Sequence, residues 1–335
     1  MDICDVRKSI QDSYGLQVQY VEKIKNVYKI SCSSKQYCLK VIKYDFGHFL
    51  FILSAIKHLQ GNKFKHIPRI IKTQNGMEYI NIDGCYAYLT NWVASRQCNY
   101  DNPVDVLIAA SKLAELHKKS RGFVVEENMN PRIGWFKWID TFNTRKDEIL
   151  DFKRKIDKKE KKTEFDSIYL GAMKEELERA EKSIENLVDS NYIDLMKQEI
   201  SNKGFCHHDY ANHNVLIGTN GEVNIIDFDY CMLDTNLHDL ASLLLRRMKN
   251  GKWNMNNCLF IIEAYNSVNQ VQKDSIPIMA AFMEFPQDYW QIGIQYYWEE
   301  QPWGDEFFLK KLKKILEDRD EKQKFIDEFR FVKIN

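Results

Sequence analysis

Several absences narrow this sequence before any motif is considered. No apolar run reaches the roughly 20 residues needed to span a bilayer, and Met1-Asp2-Ile3-Cys4-Asp5 has neither the basic nor the apolar region of an export signal. Synthesis and residence inside the cell are therefore expected. The eight cysteines are scattered, with no C-x-x-C pair and no zinc-ligand spacing, so they read as reduced thiols. Neither charge prevails, since Lys plus Arg and Asp plus Glu number 48 each, and no global field draws the chain to nucleic acid or to an anionic membrane. Internal repeats and low-complexity linkers are lacking too, so any lobes should be joined closely. What the 335 residues do contain is packing material, 44% hydrophobic and 13% aromatic, enough for two lobes that each bury a core.

The first 92 residues carry the strand signals. Leu16–Ile24, Val27–Cys32 and Tyr37–Ile42 are rich in Val, Ile and Tyr and are separated by Lys25-Asn26 and by Ser33-Ser34-Lys35, which is hairpin spacing. A helix is predicted over Phe46–Gln60, where Phe49, Ile52, Leu53, Ile56 and Leu59 recur at helical spacing before Gly61-Asn62. Two further strands, Met77–Ile82 and Cys85–Trp92, are marked out by the turn dipeptides Asn75-Gly76 and Asp83-Gly84. Beyond Trp92 helical periodicity takes over, beginning with Pro103–Lys118 and interrupted by one hairpin. The reading is an α+β, two-lobed chain, with a sheet-bearing lobe over 1–92 and a mainly helical lobe over 93–335. The charged stretch Arg145–Lys162 reads as the solvated face of a helix.

The densest chemical signal runs from Gly204 to Tyr230. Val215–Ile217 and Val223–Ile226 flank Asn220-Gly221 as a hairpin, and Asp209, Asn214 and Asp227 stand at its rims. Phosphoryl transfer needs one carboxylate to orient a hydroxyl, and an amide oxygen with a second carboxylate to hold the hard Mg²⁺ that bridges nucleotide phosphates. Asp209 fits the first role; Asn214 and Asp227 fit the second.

His207-His208-Asp209 with Asn214, Asp227 and the later His238-Asp239-Leu240-Ala241 resembles the aminoglycoside phosphotransferase and choline kinase group of the protein kinase-like superfamily. More closely, Tyr37-Cys38-Leu39-Lys40-Val41-Ile42, Leu113-Ala114-Glu115-Leu116-His117 and Lys162-Thr163-Glu164-Phe165-Asp166 resemble the spore-coat CotS family of endospore-forming bacteria, nearly end to end. The resemblance implies a kinase-like fold, its N-lobe a five-stranded antiparallel sheet plus helix. It also implies ATP or another nucleoside triphosphate with Mg²⁺, and a place in the spore coat beside other coat proteins. Lys40 then grips phosphates from the third strand, and the backbone of Asn91, Trp92 and Val93 meets the base. From the residues alone, Lys40 lies in an otherwise apolar strand, where a charge needs a partner or a ligand. Tyr28 and Phe228 read as packing, His117 and His207 as buried hydrogen-bonding scaffold, and Asp239 as a brace for the catalytic loop.

Departures from the kinase pattern are also legible. The only acidic residue between Lys40 and Glu78 is Asp45, so no helix glutamate is placed to pair with Lys40, and Val21–Ile30 contains no glycine. His208 stands where the small-molecule kinases commonly have glycine. Two functions follow: a phosphotransferase acting on a small-molecule hydroxyl, or a pseudokinase or structural coat assembly protein without turnover. On the acceptor side, Glu284–Trp290 and Tyr296–Glu306 interleave aromatics with carboxylates, a composition suited equally to a cationic or sugar-like substrate and to helix-packing aromatics beside a solvated acidic face.

Overall fold

The N-terminal sheet is built on β6 (Cys85–Asn91), which lies between β3 (Gln36–Ile42) on one side and two short strands on the other. Those short strands, β4 (Ile70–Ile71) and β5 (Ile80–Ile82), pair with opposite ends of β6, at Leu89–Thr90 and at Cys85–Ala87. Outward from β3 come β2 (Val27–Cys32) and β1 (Val18–Ile24). All pairings are antiparallel, and Lys40 sits opposite Tyr88 on β6 and Val27 on β2. The structure is a computed structural model that describes residues 2–334. The expected five-stranded width is present, with β4 and β5 sharing the fifth lane. The strand expected over Met77–Ile82 shortens to its last three residues, because Met77 N–H is held by Thr73 Oγ1 in a turn.

A helix that the sequence reading did not anticipate, α1 (Ile3–Tyr14), covers one face of the sheet with Val6, Ile10 and Tyr14. Its i, i+4, i+8 stripe is narrow, and the remaining positions are mostly polar, which hid it. Gly15 ends α1 at φ +66°, donating its N–H to Gln11 O at 2.9 Å, a conformation that glycine adopts without the Cβ penalty. On the opposite face α2 (Phe46–Gly61) is capped by Asp45, whose carboxylate accepts from His48 N–H at 3.0 Å. Its flanks are apolar nearly all round, as a helix wedged between two layers requires. Phe49, Phe51, Ile52, Ala55 and Leu59 are fully buried in the core that α2 shares with the helical region.

After β7 (Ser95–Gln97), which pairs with β8 (Val215–Gly218), itself paired with β9 (Val223–Ile225), the chain is largely helical. First in chain order come α3 (Pro103–Ser120), α4 (Trp138–Asp157), α5 (Glu164–Val188), α6 (Tyr192–Asn202) and α7 (Leu237–Met248), of which α3 and α7 carry residues that reach the site. Behind them lie α8 (Met255–Asn266), α9 (Ser275–Glu284), α10 (Gln287–Gly293), α11 (Asp305–Glu317) and α12 (Arg319–Phe329). Asn102 caps α3 just before Pro103. The segment Lys162–Asp166 starts α5 with a reciprocal capping box: Thr163 Oγ1 accepts from Asp166 N–H at 3.1 Å, and Asp166 Oδ2 accepts from Thr163 N–H at 2.9 Å. Among the described residues no helix is long and apolar enough to cross a membrane. The α+β arrangement expected from the sequence, a sheet-bearing part followed by a mainly helical one, is borne out.

Candidate functional site

The hairpin of β8 and β9 carries the site at its open end. Asn214, in a short 3₁₀ turn before β8, donates its side-chain N–H groups to Asp209 O at 2.9 Å and Asp209 Oδ2 at 3.1 Å. Its backbone O accepts from Ile226 N–H at 3.0 Å, and Ile226 O lies 2.9 Å from His207 Nε2. This closed set of bonds draws Asp209, Asn214 and Asp227 to one edge. Asp227 itself has φ +65°, a left-handed conformation that turns the chain out of β9 and costs a non-glycine residue on the order of 1 kcal/mol.

Lys40 reaches this edge from β3. Its Nζ lies 2.9 Å from Asp227 Oδ1 and 2.9 Å from Asp229 Oδ2. Burial alone would depress the Lys40 pKa, but Asp229 and Asp227 outweigh it and the amine stays charged. The two carboxylates diverge. Asp227 is held below the usual range because Lys40 overcomes its burial, whereas burial and the neighbouring Asp227 push Asp229 up to about 6. No glutamate of α2 takes part, as the sequence indicated; two acids from the same turn take its place.

Asp229 is the residue that sequence reasoning missed. Its Oδ1 is buried and has no hydrogen-bond partner among the described residues, a state that costs about 1–3 kcal/mol unless something is bound there. Asn214, with its N–H groups committed to Asp209, leaves its amide oxygen uncommitted. Two carboxylates and an amide oxygen form a hard donor set, and these residues fit a divalent cation of the Mg²⁺ or Ca²⁺ kind.

Asp209 has an unexpected partner. Its Oδ1 accepts from Arg246 Nη2 at 2.9 Å, so the carboxylate is tied from α7 rather than left free. Behind it, Asp239 is completely buried and accepts from His207 N–H (2.6 Å) and His208 N–H (2.8 Å), with His117 Nε2 at 3.1 Å. This bracing holds His208 at φ +66°, with its ring stacked 4.0 Å from that of His238. A left-handed position explains why glycine is the usual occupant in the small-molecule kinases that the loop resembles. His117 also meets Tyr265 OH at 2.7 Å, and Tyr28 and Phe228 are buried.

The segment Asn91–Val93 lies apart from the carboxylates. Asn91 ends β6 three residues beyond Tyr88, the partner of Lys40, on the order of 10 Å along the strand. Trp92 N–H is donated to Gln36 O at 2.9 Å, so this group is already taken. The neighbouring Lys29 amine lies 5.0 Å from the Trp92 ring.

The acceptor-side expectation changes. Trp290 is covered by Arg145 at 4.4 Å, Tyr296 and Tyr297 by Lys159 at 5.4 and 5.2 Å, and Trp303 by Lys311 at 5.7 Å. Glu284 binds Arg330 at 2.6 Å, Asn186 at 2.7 Å and Gln323 at 2.9 Å. Several of these aromatics, and Glu284 among the carboxylates, are thus engaged by the chain's own side chains.

Nearby, Asp234 accepts from Trp138 Nε1 at 2.9 Å and from Thr235 N–H at 2.8 Å. Burial pushes its carboxyl up to about 6 despite His238. An unfolded aspartate titrates near about 3.9. The folded chain therefore keeps a proton that the unfolded chain loses between about pH 4 and 6, and the favourable contribution of Asp234, full below that window, is lost across it as pH rises. Asp234→Asn should gain on the parent by on the order of 2–3 kcal/mol between the two ends of that window. Urea unfolding at several pH values measures this, and a difference independent of pH would contradict it.

Comparison with known proteins adds the following. The profile of the family described as "Spore coat putative kinase YutH" matches residues 7–329. The endospore coat-associated protein YutH of Bacillus subtilis (strain 168) is 23% identical over 328 residues, 96% of this chain and 92% of that protein. An aminoglycoside phosphotransferase from Alicyclobacillus acidocaldarius subsp. acidocaldarius superposes with a TM-score of 0.83 at 22% identity, over 96% of this chain and 95% of that one. An amicoumacin kinase solved with AMP-PNP, Ca²⁺ and Ami superposes with a TM-score of 0.69 at 13% identity, over 98% and 94% of the two chains. The expected likeness to a spore-coat family, and the fold of the small-molecule kinases, are borne out.

Proposed function

The chain belongs to the YutH family of spore coat proteins, and on that premise we propose that it is an ATP- and Mg²⁺-dependent phosphotransferase acting on a hydroxyl of a small molecule. The observation that carries this reading is the Lys40 amine shared at 2.9 Å between Asp227 and Asp229, beside an Asn214 already bonded to Asp209. In this reading the base of the nucleotide lies at Asn91–Val93, between a lobe over 1–92 and a lobe over 93–335. Lys40 grips the phosphates, and Asn214 and Asp227, joined by Asp229, hold the metal. Bound there, Mg²⁺ would supply positive charge to neutralise the phosphates.

The protein's own contribution is positional. Asp209 orients the acceptor hydroxyl and receives its proton as the new O–P bond forms; the bond from the γ-phosphorus to the β–γ bridging oxygen breaks, and ADP leaves. Phosphates arriving at Lys40 give its amine a new partner and free Asp227 and Asp229 for the metal. The solved amicoumacin kinase carries AMP-PNP and Ca²⁺, the ligand types this cleft is expected to take. Incubation with γ-labelled ATP, Mg²⁺ and metabolites of sporulating cells tests the reading. A labelled small molecule is the expected product, and its absence with intact nucleotide binding would favour the second reading.

That second reading is a nucleotide-binding pseudokinase or structural protein of the coat, where a Bacillus relative resides. One observation favours it: Asp209 is held by Arg246, which must move before the carboxylate can meet a hydroxyl. In either reading the partners include other coat proteins, and neither calls for nucleic acid or a membrane.

A further inference from the structure

A cavity of about 920 Å³ opens beside the catalytic loop, with His208 and Arg246 in its wall and α10, α11 and the start of α12 on its far side. Its volume is that of a pocket for a metabolite-sized ligand. Nine Lys or Arg side chains line it against five Asp or Glu, in a chain whose overall charge is zero. Four of the five acids are committed or neutralised. Glu284 is bonded to three donors named above, Asp318 accepts from Gly251 N–H at 2.6 Å, and burial raises the pKa of both Asp234 and Glu176. Asp288 stands near Lys311 and Lys322 but pairs with neither among the described residues.

Among the cations, Arg179, Arg246 and Arg319 are paired with carboxylates, but four of the lysines are not. The Lys249 and Lys314 amines make no ion pair or hydrogen bond among the described residues, and Lys311 and Lys322 donate only to neutral oxygens, Gln295 Oε1 at 2.8 Å and Phe285 O at 3.3 Å. Burial holds both of these lysines below the usual range, and Lys249 adds repulsion at Lys311. Lys311 and Lys314 share one face of α11 at i, i+3. Asp288 offsets only part of the burial of Lys311 and Lys322, which stay below the usual range, so these desolvated amines are a cost to the empty protein that an anion relieves.

We propose that this cavity binds an anionic hydroxyl compound, a sugar or polyol carrying a phosphate or carboxylate, with its anion seated among Lys249, Lys311 and Lys314. The proposal rests on the phosphotransferase reading for what happens to the hydroxyl, and of the cationic and sugar-like substrates that composition suggested it takes the sugar-like one. It also gives Arg246 a second position: an anionic ligand in the cavity competes with Asp209 for the guanidinium and thereby frees the carboxylate.

Calorimetric titration of the full chain with glucose, glucosamine, glucuronate and glucose 6-phosphate, and separately with Mg-AMP-PNP, tests it, with inorganic phosphate as a control for a free anion. Glucuronate and glucose 6-phosphate should bind at least about tenfold more tightly than glucose, and glucosamine more weakly. The paired substitutions Lys249→Glu and Lys311→Glu should abolish that preference, and the milder pair Lys249→Gln and Lys311→Gln should reduce it if the first pair fails to fold. Glucosamine as the tightest ligand, no binding by any of the four sugars, or a preference that survives both pairs would overturn the proposal. So would inorganic phosphate matching glucose 6-phosphate, because the sugar would then contribute nothing. Nucleotide binding separates the two claims: an anion preference without Mg-AMP-PNP binding removes the phosphotransferase reading and leaves the anion site standing.

Discussion

Asp209→Asn is expected to lower phosphoryl transfer by about 10²–10⁴-fold, the usual contribution of a positioned acid or base, while leaving Mg-AMP-PNP affinity within about threefold of the parent. The substitution is nearly isosteric, and its remaining oxygen can still accept from Asn214, so the loop geometry should persist. What disappears is the carboxylate that receives the hydroxyl proton. Arg246 also loses its ionic partner, so any cost of moving it falls in the variant. A merely structural Asp209 would therefore give equal or slightly better background rates after substitution. Single-turnover transfer from labelled ATP, measured beside nucleotide titration, separates these outcomes, and equal rates in both proteins would exclude Asp209 as the base.

Replacing Asp239 should act on the fold instead. Asp239→Ala is expected to cost about 3–5 kcal/mol, the range for breaking a buried charged network by removing one partner. The carboxylate is completely enclosed, yet its pKa is held well below the ordinary value, because hydrogen bonds from His117 and His238 outweigh its burial. Alanine would orphan the N–H groups of His207 and His208 and free His208 from the left-handed conformation that places Asp209 one residue later. Asp239→Asn, which retains one acceptor, should cost less. Urea unfolding of the three proteins tests the ordering, and a loss below about 1 kcal/mol for alanine would mean that the loop is held by other contacts.

Much of this architecture was legible because the deciding signals are local. The β1–β2–β3 meander follows from Val, Ile and Tyr runs between short polar turns, and α3 from Pro103 with an apolar stripe. Asp209, Asn214 and Asp227 stood out because a tight hairpin brings its two rims together, whatever the rest of the chain does. The lack of a glutamate on α2 was equally readable. Its replacement was not, since Asp229 looked like one more polar residue after a strand; only the turn at Asp227, with φ +65°, aims both carboxylates at Lys40.

What was not legible depends on partners distant along the chain. Arg246 reaches Asp209 across 37 residues, and nothing in the helical pattern of α7 marks it. The aromatic and acidic letters of 284–306 suit either a ligand surface or helix packing with a solvated acidic face, and only the fold shows that Arg145 and Lys159 from the α4 region and Lys311 from α11 cover several of the rings. The strand β7, Ser95-Arg96-Gln97, is exposed throughout and is formed by pairing to β8 alone, with no apolar alternation to announce it.

The account stands on Lys40, Asp227, Asp229 and Asn214 acting together as a metal–nucleotide grip. Calorimetric titration of the parent and Asp227→Asn with AMP-PNP, each with Mg²⁺ and with EDTA, tests this most directly. The parent should bind only with Mg²⁺, and the variant should lose at least about 2.7 kcal/mol, a hundredfold in Kd. A parent that ignores the nucleotide, or a variant that binds it equally well, would contradict the account.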